Sequence, residues 1–362
     1  MKWSLKLGTV AGIGIYVHWT FALLIGWIFF AYLSAGQSAV MAAKGAGFIL
    51  AIFGCVVLHE LGHATAAKRF GIRTRDITLL PIGGLARLER MPEKPLQEFI
   101  VALAGPAVNV VIAAVIFGYL TVIRGDGEML DVQLLQGNFL ARLMWVNAFL
   151  VVFNLLPAFP MDGGRVLRAL LATSMDYRRA TRIAARVGQG MAILFGIAGL
   201  FGNPFLLFIA LFVFLGAQAE SDMVGIQFFM RGQQVRDAMI TRFRTLTPEA
   251  TLDDAVRELL AGSQQDFPIT TGEKLEGVLL RNDLIKALAE GGRHLSVREA
   301  MHNDCAVVDA DESLRAAFDK MRQNGCSMLP VMEHGQLAGL ITLEHLGEWM
   351  MISQAAHRFE GG

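Results

Sequence analysis

Along the chain, polar positions thin out and then return. Before about residue 230, apolar residues run in blocks long enough to cross a lipid core, roughly 17 residues or more, at 17–35, 45–67, 97–123, 139–157, 183–201 and 204–224. These blocks predict six transmembrane helices. Two gaps between them do not read as ordinary loops. "DITLLPIGGLARLER", residues 76–90, sets two short apolar runs about Gly83 and Gly84, the pattern of a hairpin. "NLLPAFPMDGGR", residues 154–165, puts two prolines and two glycines directly behind an apolar helix, which must break near Pro157. Irregular backbone at membrane depth persists only where protein or water satisfies its hydrogen bonds. Both gaps therefore predict an interior cavity, the first as a re-entrant hairpin.

From Val235 the pattern becomes that of a soluble α/β domain, and it repeats. "VRDAM" at 235 returns as "VREAM" at 297, "TLDDAV" at 251 as "SLRAAF" at 313, Pro268 as Pro330, and "GVLLRNDL" at 277 as "GLITLEHL" at 339, always 62 residues on. Such constant spacing marks a tandem duplication. Each unit should hold a helix, a strand around its proline, a second strand behind its glycine and a closing helix, with a core buried against its twin.

Composition sharpens this division. Hydrophobic residues are 54% of the chain, and nearly all the excess lies in the first 230 positions, so lipid is the expected solvent there. Lys plus Arg and Asp plus Glu both number 32; with no net charge and no basic stripe, nucleic acid is not an expected partner. Lys6, Lys68, Arg69, Arg87, Arg90, Lys94, Arg165, Arg168, Arg178 and Arg231 fall on one side of a six-helix count, against Lys44, Arg124 and Arg142 on the other. Positive residues stay on the cytoplasmic side, so both termini and the soluble half are expected in the cytoplasm. Cys55, Cys305 and Cys326 show no C-x-x-C spacing and are expected as free thiols in a reducing compartment. The first apolar block lacks a cleavage site and is expected to stay as an anchor.

Ionisable groups inside an apolar block need partners or a function. "HELGH", residues 59–63, lies within the second block. Positions four apart share a helix face, so His59 and His63 can aim at one ion, and Glu60 is close enough to hold a water on it, the H-E-x-x-H zinc signature. A catalytic zinc takes three protein ligands and leaves a fourth position open. His18 and Asp162 are the main candidates for the third. Asp162 sits in the broken segment where a cavity is expected and is the better choice; His18 reads as the edge of the first span. Cys55, one turn before His59, would close the site if it bound metal and is expected to serve packing.

HELGH, "GPAVN" at 105–109 and "NLLPAFPMDG" at 154–163 together resemble the three motifs of the site-2 protease family of intramembrane zinc metalloproteases, over roughly residues 1–230. The resemblance implies a six-helix core, one Zn2+ per chain on His59, His63 and Asp162, and Glu60 as general base. It also implies that Asn109 and Asn154 lie near the substrate or the developing oxyanion, although either could simply tie helices together. It further implies that the hairpin at Gly83 and Gly84 offers an edge to an unwound transmembrane substrate. The repeats resemble a pair of CBS domains, which commonly bind adenine nucleotides and often dimerise. Here each nucleotide motif is incomplete: Asp283 is present with Leu280 at the hydroxyl position, and Thr342 with His345 at the acid position.

The expected fold is therefore a multi-pass α-helical membrane protein with a re-entrant hairpin, joined to a soluble α/β tandem CBS domain. The expected boundaries are 1–230 for the membrane metalloprotease domain and 233–290 and 295–353 for the repeats. The expected function is intramembrane proteolysis of a membrane-anchored substrate, with the CBS pair as a regulatory, docking or dimerisation module. A CBS-linked ion or metal transporter is the alternative, but a transporter has no need of Glu60 beside the paired histidines.

Overall fold

The computed structural model describes residues 4–359 apart from 82, 89–91, 93, 125–137 and 304–305. Cys305, Arg90 and the acidic stretch 125–131 thus lie outside the described residues. The chain divides into two compact units, Met1–Asp222 and Met223–Gly362.

The first unit opens with a sheet of order β1-β2-β3-β4. β1 (Ser4–Val10) and β2 (Ile13–His18) pair antiparallel through Ala11 and Gly12. Both turn residues have positive φ, 53° and 85°, as the type I′ hairpin turn requires. β3 (Thr74–Leu80) runs parallel to β2, and β4 (Gly83–Leu88) returns antiparallel with Leu80 opposite Gly83. A hairpin forms in the expected region, but Gly83 and Gly84 are the first paired residues of β4 and not the point where the two runs meet, and β1 and β2 lie where the apolar pattern predicts no element. Ile13 and Ile77 seat the sheet on Leu61 and Ala64 of the helix that carries HELGH.

Among the described residues, seven helices follow from the apolar blocks and the segment between them: α1 (Trp19–Ser34), α2 (Ala39–Arg69), α3 (Pro95–Arg124), α4 (Phe139–Asn154), α5 (Asp162–Leu171), α6 (Tyr177–Phe201) and α7 (Phe205–Phe229). α2, α3, α6 and α7 are long and apolar enough to cross a membrane, and only 17–28% of their most apolar windows is buried inside protein. Lipid is what such surfaces demand. α1 and α4 are apolar but have 16 residues each, about 24 Å against a hydrocarbon core of about 30 Å. By length, then, four of the expected six blocks qualify among the described residues.

Local chemistry explains the ends of α2. The Ser38 hydroxyl accepts the Met41 N–H (3.3 Å) at its start, Lys68 and Arg69 complement the dipole in its last turn, and Gly71 at φ 73° turns the chain away. Ala42, Ala46, Cys55 and Ala67 are among its buried residues, small side chains that let neighbouring helices approach.

The helix break falls where the prolines predict it. α4 ends at Asn154, a turn carries the cis Phe159–Pro160 bond, and α5 begins at Asp162. A Cβ on Gly163 would strike the Leu156 carbonyl, and one on Gly164 would lie 2.6 Å from the Phe159 nitrogen. The turn folds back so tightly on α5 that glycine is required at both positions. Arg168, fully buried on α5, donates to Glu98 of α3 (2.7 Å) and Glu220 of α7 (2.6 Å). Its guanidinium also stacks 4.9 Å from the rings of Phe159 and Tyr177. α5, and with it Asp162, is thereby fixed against three neighbouring helices.

The second unit contains the duplication. α8 (Leu252–Ala261), β5 (Phe267–Thr271), β6 (Lys274–Leu279) and α9 (Arg281–Gly291) form the first repeat. After the short α10 (Val297–Ala300) come β7 (Val308–Asp309), α11 (Leu314–Asn324), β8 (Met328–Glu333), β9 (Gln336–Thr342) and α12 (Leu343–Phe359). The register repeats as well: Pro268 faces Val278 as Pro330 faces Leu340, with a bulge after Ile269 and after Val331. Val278, Met328 and Leu340 close the core between the repeats.

Candidate metal centre

His59 and His63 stand on the buried face of α2, 7% and 5% exposed. Their Nε2 atoms are 3.1 Å apart, and Oδ2 of Asp162 lies 3.2 Å from each. Among the described residues this is the one group of three or more His, Cys, Asp or Glu side chains placed to share a metal ion. Asp162 comes from another helix, because the turn that follows Asn154 ends at Met161 and α5 begins with Asp162.

The other ring nitrogens set what the site offers. His63 Nδ1 is 2.7 Å from the carbonyl oxygen of Val101 on α3. A carbonyl only accepts, so Nδ1 carries the hydrogen and Nε2 presents a lone pair. Val101 lies in the turn before Pro106, and a carbonyl has a second lone pair with which to take this hydrogen bond beside its helical one. His59 Nδ1 is 2.9 Å from Asn109 Oδ1, and Asn109 Nδ2 donates to Asn147 Oδ1 on α4 at 3.1 Å. In this arrangement His59 likewise donates from Nδ1 and keeps Nε2 free. Two imidazole lone pairs and a carboxylate at van der Waals distance repel one another unless a cation lies between them.

The separations fit such a cation. Ligand atoms about 2.0 Å from a tetrahedral centre stand roughly 3.3 Å apart, close to the three separations of 3.1–3.2 Å found here. Backbone and amide groups hold the outer nitrogens of both histidines, as metal-bound histidines require. The donor set, two imidazoles and one carboxylate, suits zinc with a position left open.

Two glycines keep the space clear. A Cβ on Gly105 of α3 would collide with His63 Nε2 and lie 2.7 Å from His59 Nε2. A Cβ on Gly84 of β4 would lie 2.9 Å from Glu60 Cγ and 3.0 Å from Val56 Cγ1. The first motif glycine therefore leaves room for the imidazoles, and the hairpin glycine lets β4 rest directly on the turn of α2 that carries Glu60.

The remaining sequence candidates take different places. His18 caps α1, its Nδ1 accepting from the Thr20 N–H (3.4 Å), and is not part of the cluster. Cys55 is buried and receives an N–H from Asn147 at 3.4 Å. Asn109 is fully buried with both ends of its amide engaged, one on His59; Asn154 is the half-buried last residue of α4. In the second unit, Asp283 pairs with His302 (2.9 Å) and the Thr342 hydroxyl accepts the His345 N–H (3.1 Å). Two groups were not anticipated: Asn147, and the buried Arg168 with Glu98 and Glu220. A lone asparagine in "RLMWVNAFLVVF" is a signal for the first, because polar side chains in an apolar span need partners.

Residues 47–136 and 120–197 match peptidase family M50, and residues 235–290 and 297–351 match the CBS domain. A zinc metalloprotease of Methanocaldococcus jannaschii is 32% identical over 343 residues, 94% of each chain. Stage IV sporulation protein FB of Bacillus subtilis is 26% identical over 220 residues, 59% of this chain and 72% of that protein. The solved structure of the site-2 protease from Methanocaldococcus jannaschii aligns at 36% identity with a TM-score of 0.44, covering 60% of this chain and 95% of that one.

Proposed function

Since the chain belongs to peptidase family M50, the site-2 protease group of zinc metalloproteases, we propose that it hydrolyses a peptide bond in or near a transmembrane segment of a membrane-anchored substrate. His59, His63 and Asp162 hold the zinc and Glu60 is the general base. The observation that supports this reading is the convergence of two histidine Nε2 atoms and Asp162 Oδ2 at 3.1–3.2 Å, with the outer nitrogen of each ring already hydrogen-bonded.

A zinc ion held by His59, His63 and Asp162 would supply Lewis acidity there, making a bound water more acidic and a scissile carbonyl more electrophilic. Glu60 takes the proton from the attacking water and delivers it to the leaving amine. A helical substrate hides its carbonyls and must unwind first. β4 ends the sheet order, and the unwound segment adds to its outer edge, with Gly84 bringing that edge to Glu60 and Gly83 opening the strand. Asn154 lies beside the substrate path.

The architecture we propose is a six-span membrane domain over residues 1–230, with α1 and α4 as short spans beside the re-entrant β3–β4 hairpin. CBS repeats occupy 233–290 and 295–353. Both termini and the repeats face the cytoplasm. The CBS pair is a docking, dimerisation or regulatory module. Adenine nucleotide binding around Asp283 and Thr342 is tested by titrating the full chain with ATP, ADP and AMP; no heat at millimolar ligand rejects it.

The test of the catalytic reading is Glu60→Gln. Zinc content should persist while cleavage of a co-expressed membrane-anchored substrate falls by about 10²–10⁴-fold, the usual worth of a general base. Membrane proteomics comparing cells that bear the two forms should then reveal the protein that loses its anchor. Unchanged cleavage rejects the mechanism.

A further inference from the structure

We propose that Asn147 is a positioning residue for the metal site: through Asn109 it holds His59 in the tautomer that presents Nε2 as a lone pair. The inference rests on the metal reading above and adds a residue that touches neither ion nor substrate.

The argument follows hydrogen-bond polarity from one fixed end. The Leu143 carbonyl of α4 can only accept, and Asn147 Nδ2 lies 2.8 Å from it, so that atom is the amide nitrogen. The second N–H of Asn147 meets the Cys55 sulfur at 3.4 Å. Asn147 Oδ1 is therefore left to accept, and it does so from Asn109 Nδ2 at 3.1 Å. Asn109 must then turn Oδ1 towards His59, 2.9 Å away, and that oxygen requires a hydrogen on His59 Nδ1. Had Asn147 the opposite orientation, its oxygen would face the Leu143 oxygen. Asn109 would turn its NH2 group to His59, and the imidazole hydrogen would move to Nε2, into the point shared with His63 and Asp162.

Burial gives the chain its force. Asn109 and Asn147 are fully buried and Cys55 is 7% exposed, so a misdirected amide finds no water to repair it. Asn109 alone is ambiguous, because an amide can turn either end to an imidazole. Asn147 resolves the ambiguity from a helix that carries none of the three metal-site side chains.

A merely structural role, tying α4 to α3, is separated from this one by a double-mutant cycle. The zinc retained by the purified full chain against EDTA is measured for wild type, Asn147→Ala, Asn109→Asp and the double variant. A carboxylate presents an acceptor to His59 whichever way it turns, so in the Asn109→Asp background nothing remains for Asn147 to orient, and its Oδ1 then faces an oxygen in place of an N–H. Asn147→Ala should weaken zinc retention about 10–100-fold in the wild-type background, the usual cost of losing an outer-shell partner, and should leave it unchanged or improve it beside Asn109→Asp. Asn147→Leu, which keeps the side-chain volume, carries the same comparison should the alanine variant not fold. Equal losses in both backgrounds, or no loss in the wild-type background, overturn the inference while leaving the metal site standing. Absence of zinc from the wild-type chain overturns the metal site and this inference with it.

Discussion

Gly105→Ala is the sharpest small perturbation of the site. The new methyl would sit 2.7 Å from His59 Nε2 and nearer still to His63 Nε2, where ordinary contact begins at 3.4 Å, so the His59 ring must withdraw by about 0.7 Å. Metal ligand distances tolerate only about ±0.2 Å. Both imidazoles are tied behind by Val101 and Asn109, which leaves them little room to retreat. Overpacking of this kind costs about 1–3 kcal/mol, too little by itself to unfold a domain stabilised by about 5–15 kcal/mol. The expected product is a folded protein that has lost its metal. Elemental analysis of the purified variant should give less than about a tenth of the wild-type zinc, in the range of known losses around metal sites, with an unchanged far-ultraviolet circular dichroism spectrum. Gly118→Ala in the same helix meets no atom within 4 Å and should keep its zinc. Full zinc occupancy in Gly105→Ala would refute the placement of the ion beneath α3.

Three further outcomes follow from the packing. Gly84→Ala crowds Glu60 Cγ at 2.9 Å without reaching the histidines, so cleavage should fall roughly tenfold or more while zinc is retained; loss of zinc would show that β4 supports the ligands instead. Arg168→Met strands Glu98, which is 1% exposed, and should destabilise the first unit by about 3–5 kcal/mol, read as a lower melting temperature in detergent; an unchanged melting temperature contradicts the anchoring of α5. In the second unit, hydrogen bonds from the Thr251 hydroxyl (2.7 Å) and then the Thr251 N–H (2.9 Å) hold the Asp254 carboxyl below its ordinary value. A lowered folded-state pKa stabilises above the unfolded value and loses that contribution as pH falls through the folded one. The melting gap between wild type and Asp254→Ala should therefore be full at neutral pH and close in acid; a gap that does not vary with pH removes the carboxylate from the cap.

The site was legible in the sequence to the extent that its geometry is local. His59 and His63 share a helix face by their spacing alone, and the prolines and glycines of 157–164 announce the break that delivers Asp162. Asn147 was not legible, because its meeting with Asn109 depends on how α3 and α4 pack side by side. Arg168 reads as one more positive flanking residue until Glu98 and Glu220 are seen around it. β2 and β3 are parallel partners separated by the whole of α1 and α2, a pairing that no periodicity within either strand reveals. The CBS repeats show the opposite case, since a 62-residue duplication carries its strand register and even its bulge from one copy to the next.

Most directly at stake is whether one zinc ion sits on residues drawn from two distant helices. Elemental analysis of the unchelated, purified full chain and of its Asp162→Ala variant decides this. The wild type should carry one zinc per chain and the folded variant less than about a tenth of that. A wild type without zinc, or a variant that keeps it, contradicts the account.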